Sequence, residues 1–337
     1  MNTIIVTGGL GFIGSNLIKL LNKNNYYIIN IDKINYSSNY QNIPDNIQNY
    51  KFYKEDINNR AAIKDIINKY NSKIIYNLAA ETHVDRSIDN PKNFINSNIL
   101  GTYNLLEVIR NLNKRIKLIQ VSTDEVYGDI KNKKSSVEAD AYNPSSPYAA
   151  SKASGDLLIK SYIKTYKIPA IITNCCNNYG PNQYPEKLIP TIIYSLITKK
   201  KIPIYGSGKN IREWMYVEDH CNALIKIGQK GLIGENYNIG SGKAFNNIDI
   251  AIKIIKIFSE IKNNYQYKGE IKFVKDRPGH DVKYSLNSNK IKKELNWKCK
   301  THFNDGIKKT VEWYLNKFEN NFFKNKKFTK RLGIKIW

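Results

Sequence analysis

The 337-residue chain is poor in cysteine and histidine, and it has too few acids for its bases. Its four cysteines, Cys175, Cys176, Cys221 and Cys299, form no C-x-x-C pair. That excludes a zinc ribbon and a disulfide framework, and predicts buried, reduced thiols. The four histidines, His83, His220, His280 and His302, lack a ligand spacing, so no metal site is expected. His83 and His280 fall in motif-like loops; His220 and His302 read as helix-start or core residues. No apolar run approaches the ~20 residues of a membrane span. The N-terminus enters a strand directly, without a basic n-region, so a cytoplasmic placement with no membrane partner is expected. Acids number 29 against 53 lysines and arginines, giving a formal net charge of +24. The lysines are scattered among Asn and Ile, so the excess reads as biased composition and nucleic acid is not the expected partner. Residues 322–331 interleave aromatic and basic side chains; packing on the body or on a partner subunit is expected, with RNA or a membrane surface as the alternative.

What is present is a regular alternation. Residues 3–7 read as a strand, followed by Gly8-Gly9-Leu10-Gly11-Phe12-Ile13-Gly14 and a helix over 12–24. Glycines between a strand and a helix let a pyrophosphate approach the backbone and meet the helix N-terminus. Asp32 ends the next strand, 26–31. An acid there, roughly 20 residues beyond the glycines, binds an adenosine ribose and repels a 2′-phosphate, favouring NAD over NADP. Strands at 50–53, 73–78, 116–121 and 169–174, with helices at 93–111 and 145–166, predict an α/β fold. The expected architecture is a Rossmann-type doubly wound parallel sheet with a smaller, interlocked C-terminal α/β substrate lobe. We expect an NAD-binding domain over 1–174, with 212–240 returning to it, and a substrate lobe and basic tail over 175–337. In that lobe, 177–185 read as a turn-rich loop and 186–199 as a helix. Residues 212–219 lead into a helix to 229, 236–239 form a strand, and 248–261, 287–295 and 305–318 are amphipathic helices.

The chemistry concentrates between Ser122 and Lys152. Tyr148 and Lys152 are four residues apart on one helix and share a face. A neighbouring ammonium and a positively charged nicotinamide favour the phenolate, so the pair is expected to work with a lowered Tyr148 pKa and deprotonate a substrate hydroxyl. Thr123, Asp124 and Glu125 follow a strand at the ligand-binding edge of the sheet. Two carboxyls in different environments divide acid and base roles: Asp124 as the acid, Glu125 as the base.

These segments resemble the extended short-chain dehydrogenase/reductase superfamily and, within it, the dTDP-glucose 4,6-dehydratase family. The likeness covers roughly residues 2–315 and includes Ser122-Thr123-Asp124-Glu125-Val126-Tyr127-Gly128 and Leu78-Ala79-Ala80-Glu81-Thr82-His83-Val84-Asp85. It also includes Asn177-Asn178-Tyr179-Gly180-Pro181, Pro185-Glu186-Lys187-Leu188 and Asp276-Arg277-Pro278-Gly279-His280-Asp281. The resemblance implies C4 oxidation of a nucleotide sugar by NAD, elimination of water across C5–C6 and hydride return to C6. It makes Thr123, Asp124, Glu125, Tyr148 and Lys152 the catalytic residues. To the cofactor site of Gly8, Gly11, Gly14 and Asp32 it adds Phe12, Ile13, Lys33, Asn35, Asp56, Ile57, Leu78, Ala80, Thr82, Ser97, Tyr148, Lys152 and Asn178. For the substrate it implies Thr82, Thr123, Asn177, Lys187, Leu188, Pro203, Tyr205, Arg212, Asn247, Asp276, Arg277 and His280. The chain departs from the family at Asn182-Gln183 and Val282-Lys283, both expected on the substrate side. It further implies a homodimer through helices 93–111 and 145–166, packed as a four-helix bundle. The alternatives are a UDP-glucose 4,6-dehydratase, a nucleotide-sugar epimerase or decarboxylase, and a non-catalytic NAD-binding regulator or nucleic-acid binder.

Overall fold

β-branched runs supply the strands and Ile-rich amphipathic runs the helices. The computed structural model describes residues 2–319 apart from 113, 131–133, 264 and 266–268. The tail at 322–331 lies outside the described residues. The first half contains β1 (Thr3–Thr7), α1 (Phe12–Lys23), β2 (Tyr27–Ile31), β3 (Tyr50–Tyr53), α2 (Arg60–Lys69), β4 (Ile74–Asn77) and α3 (Val84–Asp89). Then come α4 (Lys92–Phe94), a π-helical segment Ile95–Leu100, α5 (Gly101–Arg110), β5 (Lys117–Thr123), α6 (Pro147–Tyr166) and β6 (Ala170–Cys175). The second half has β7 (Asn177–Tyr179), α7 (Leu188–Ile197), β8 (Ile202–Tyr205), β9 (Ile211–Tyr216), α8 (Val217–Lys230), β10 (Asn236–Ile239) and β11 (Ala244–Asn246). It closes with α9 (Asn247–Ile261), β12 (Ile271–Val274), α10 (Asn289–Leu295) and α11 (Phe303–Glu319).

The central sheet has seven strands in the order β10-β6-β5-β4-β1-β2-β3, all paired parallel. Strand alternation sends successive side chains to opposite faces. Ile4 and Val6 pack on one face with Leu17 and Ile18 of α1 and Leu224 of α8. Ile5 packs on the other with Ile63 of α2, Leu105 of α5 and Ile159 of α6. Each such buried side chain contributes roughly 1.5–3 kcal/mol of burial free energy. A third cluster holds the C-terminal lobe, joining Ile192 of α7, Ile254 of α9 and Ile307 of α11 around Tyr179. Beside it lie a three-stranded sheet, β11-β9-β7, and a β12-β8 pair.

Several expectations need correction. The first residues of the 177–185 loop form β7, because Asn177–Tyr179 pair with Trp214–Tyr216. Residues 212–216 are accordingly strand β9 rather than a lead-in to a helix. β5 runs through Thr123, since Ser122 and Thr123 still pair with Asn174 and Cys175. α2, α3, β11 and β12 are additional elements. The helix at 93–111 is interrupted by the π-helical turn, a feature that concentrates at functional sites. No helix among the described residues is long and apolar enough to cross a membrane.

Candidate active site

The site forms where β5 ends against α6. Thr123 closes the strand, and its hydroxyl accepts from the Glu125 amide at 3.3 Å, starting the 3₁₀ turn Asp124–Tyr127. Gly128 ends that turn at φ +73°; a Cβ there would lie 2.0 Å from the Asn143 carbonyl, so no other residue fits without a shift. α6 begins with Ser146 as N-cap, its hydroxyl accepting from the Ala149 amide at 3.1 Å, and with Pro147 in the first turn. This start points buried Tyr148 and Lys152 back at β5.

The two carboxyls occupy opposite surroundings. Asp124 is buried, and Oδ2 has no hydrogen-bond partner among the described residues. Burial holds its carboxyl well above the usual range, and the charges of Glu125 and Glu213 push the same way. Glu213 is buried and accepts from the amides of Gly242 (2.6 Å) and Leu286 (2.8 Å). Glu125 is half-buried. Burial raises its pKa too, but Arg277, Lys187 and Arg212 pull it back toward the carboxylate. Burial thus raises both carboxyls, and the neighbouring acids add to this at Asp124 while three basic side chains oppose it at Glu125.

The Tyr–Lys pair differs from expectation. Burial, then the Glu125 charge, drives the Tyr148 phenol well above 10, against a hydrogen bond with Thr123. Lys152 donates instead to the Val121 carbonyl at 2.7 Å. Burial lowers its pKa, against the opposing charge of Asp156. Lys152 is thus held by a hydrogen bond to the strand and by the charge of Asp156.

The glycine turn lies at the C-terminal end of β1. Gly8 has φ +71°, and a Cβ there would come within 2.7 Å of the Ala79 amide. Gly11 caps α1 with no side chain, and no acid lies in the first turn, leaving its N-terminal amides suited to an anion. Asp32 is buried and accepts from the Leu10 amide (3.0 Å), the Ile34 amide (2.8 Å) and Ser38 Oγ (2.9 Å). Those bonds hold Ile34 at φ +62°, an outlier for a β-branched residue and a mark of a constrained loop. Lys33 donates to Ser97 at 2.8 Å and pairs with Asp56 at 3.6 Å. Asn59, not Asp56, caps α2, while Asp56 accepts from the Asn58 amide at 3.0 Å. Lys33, Asp56, Glu81 and Ser97 line a cleft of about 490 Å³ running toward the π-helical turn. Asn35 donates to Glu81 at 3.2 Å, and Ile57 packs against Gly101. Leu78, Ala80 and Thr82 follow β4 at the same sheet edge. Asn178 is buried with Oδ1 unpartnered among the described residues. An uncapped helix start, a cleft and an orphaned amide oxygen fit a dinucleotide.

On the far side, Arg212 is buried, stacks 4.3 Å over the Tyr284 ring, and among the described residues donates to the backbone carbonyls of Ile211, Val282 and Asp281, the last at 2.8 Å. Arg277 pairs with Asp85 at 3.0 Å, and Asp85 also accepts from Tyr205 at 2.7 Å. His280 Nδ1 lies 2.7 Å from Asp276, with burial lowering its pKa to about 4. Lys187 donates to the Thr82 carbonyl at 2.7 Å. Leu188 opens α7, Pro203 lies in β8, Asn177 opens β7, and Asn247 opens α9 with Oδ1 unpartnered among the described residues. Asn182 and Gln183 do not face this side. Asn182 donates to Ser15 (3.0 Å) and the Asn42 carbonyl (3.2 Å), tying the lobes together, while Gln183 donates to the Asn178 carbonyl (3.0 Å) within its own lobe. Asn98, Asp156 and Glu213 went unread. Only Asp156 had a signal, lying four residues beyond Lys152. Asn98 bridges the Glu81 backbone (2.9 and 3.0 Å) and Ser151 (2.8 Å). The described residues hold no group of three His, Cys, Asp or Glu placed for a metal.

A family profile described as GDP-mannose 4,6 dehydratase matches residues 5–310. A probable dTDP-glucose 4,6-dehydratase of Sinorhizobium fredii is 43% identical over 93% of this chain and 92% of its own. The crystal structure of dTDP-glucose 4,6-dehydratase from Bacillus anthracis in complex with NAD superposes with a TM-score of 0.85. It is 40% identical and covers 95% of this chain and 98% of that one. The Streptomyces venezuelae dTDP-glucose 4,6-dehydratase with NAD and TYD bound gives 0.87 at 36% identity, over 95% and 98% of the two chains.

Proposed function

Because this chain belongs to the dTDP-glucose 4,6-dehydratase family, we propose that it converts dTDP-glucose to dTDP-4-keto-6-deoxyglucose and water. NAD, which the solved Bacillus anthracis relative carries, is the proposed cofactor. Gly8, Gly11 and the start of α1 would take its pyrophosphate, Asp32 its adenosine ribose, and Lys152 and Asn178 its nicotinamide end. When bound, NAD supplies a reversible hydride acceptor for the sugar C4. The positive charges of Lys152 and of the oxidised nicotinamide would favour the Tyr148 phenolate, which takes the proton of the C4 hydroxyl that Thr123 orients. Once C4 is a ketone, the C5 proton is acidic and Glu125 removes it. Asp124, kept protonated, gives its proton to the C6 hydroxyl, and water leaves. Arg212 supports a diphosphate site, since a buried guanidinium bonded to backbone carbonyls favours an anion. The carrying observation is the division between Asp124, flanked by acids, and Glu125, flanked by Arg277, Lys187 and Arg212. Redox alone needs no such pair. dTDP-glucose deuterated at C4 tests it: the product must carry deuterium at C6. Deuterium returned to C4 of an epimer would establish the epimerase instead.

We further propose two working units, residues 1–174 with 212–240 and the remainder, a homodimer, and a cytoplasmic setting. Support for the dimer is the apolar exposure on the two expected helices: Ile95 is 48% exposed, Leu100 46% and Leu157 54%.

A further inference from the structure

Tyr148, Lys152, Asp156 and Lys160 recur every four residues along one face of α6. The first three are buried and Lys160 is half-exposed, so the row runs from the end of β5 to the surface. The reaction proposed above uses only the first two. Asp156 is fully buried. Its Oδ2 accepts from Ser122 Oγ at 2.5 Å and from Tyr142 at 3.4 Å, while Oδ1 has no partner among the described residues. Consecutive residues of β5 thus grip consecutive turns of α6: Val121 through Lys152, and Ser122 through Asp156.

We propose that Asp156 is a positioning residue for this reaction: its carboxylate keeps Lys152 charged and aligned beside Tyr148. The inference rests on the dehydratase reading. A buried ammonium whose only hydrogen-bond acceptor is a peptide carbonyl gives up its proton readily; a carboxylate one turn away opposes that. The groups facing Asp156 are Ser122 from β5, Tyr127 from the 3₁₀ turn, Tyr142 from the segment before α6, and Lys152 and Lys160 from its own helix. Tyr142 is packed edge-on to Tyr127 at 5.4 Å and lies under the Lys160 ammonium at 4.3 Å, so this side of the carboxylate is closed. Burial pushes the Asp156 pKa up to about 6, against Lys152 and the Ser122 hydroxyl. Asp156 is therefore neutral in mild acid and charged above neutrality, and Lys152 loses its counter-charge as pH falls.

The test compares NAD-loaded wild type with Asp156→Asn from about pH 5 to pH 9. The wild-type to variant ratio of kcat is expected near one at the acid end, rising to roughly tenfold above neutrality, with KM little changed. Ser122→Ala removes a hydrogen bond to the charged form, so its acid limb must move to higher pH than in wild type. Without any turnover, the carbon-13 carboxyl resonance of Asp156 must titrate with a midpoint near 6 and move upward in Ser122→Ala. If Asp156→Asn does not fold, the serine variant and the resonance decide. A ratio constant across pH, an unmoved limb or a midpoint in the ordinary aspartate range would overturn the proposal. A wild type that makes no product from dTDP-glucose would overturn the dehydratase reading instead, and the resonance would still report on Asp156.

Discussion

Asp124 and Glu125 are neighbours in sequence, both raised by burial, but Glu125 faces Arg277 and Lys187 where Asp124 faces Glu125 and Glu213. The variant Asp124→Asn with Glu125→Gln is expected to keep sugar oxidation, seen as absorbance of reduced cofactor, while water loss falls by about 10²-fold or more. Unchanged water loss would contradict the role assignment. The raised Asp124 pKa also fixes a stability sign. A carboxyl whose folded pKa lies above its unfolded value favours folding while protonated, and that contribution is lost as pH rises through the folded value. Asn mimics the neutral form, so Asp124→Asn is predicted to unfold at a higher temperature than wild type at pH 8 and at the same temperature near pH 4, by calorimetry. The acid pair and the Tyr148–Lys152 spacing were legible because type and separation carry that chemistry. The direction of the Tyr148 shift was not, because it depends on burial and on where Lys152 points.

At the scale of elements, the site depends on how α6 starts and on what clasps the lobes. Ser146→Ala removes the N-cap and is predicted to cost about 1 kcal/mol, read from urea unfolding. The clasp centres on Glu186, which accepts from Tyr36 at 2.8 Å and Arg86 at 3.0 Å, with Arg86 lying 3.6 Å over the Tyr36 ring. Glu186→Gln loses the ion pair and is predicted to cost roughly 1–3 kcal/mol. A thermal midpoint equal to wild type would contradict that estimate. The Rossmann strands were readable because each is a short β-branched run ending at a turn. β7 and β9 were not, since Asn177-Asn178-Tyr179 has the composition of a loop and becomes a strand only by pairing with Trp214–Tyr216. The substrate-side reading of Asn182 failed similarly: sequence adjacency to Gly180-Pro181 says nothing about a side chain that turns back to Ser15.

For the whole molecule, the π-helical segment and α6 expose Ile95, Leu100 and Leu157, the face proposed for a two-fold partner. Leu157→Glu is predicted to shift the protein from dimer to monomer in sedimentation velocity; a monomeric wild type would contradict this. The excess of positive charge suits attraction of an anionic substrate such as the proposed nucleotide sugar. The central claim is the net reaction. It is tested most directly by product analysis with dTDP-glucose and UDP-glucose side by side. A 4-keto-6-deoxy product, formed preferentially from dTDP-glucose, is expected. A C4 epimer formed without loss of water, from either sugar, would contradict it.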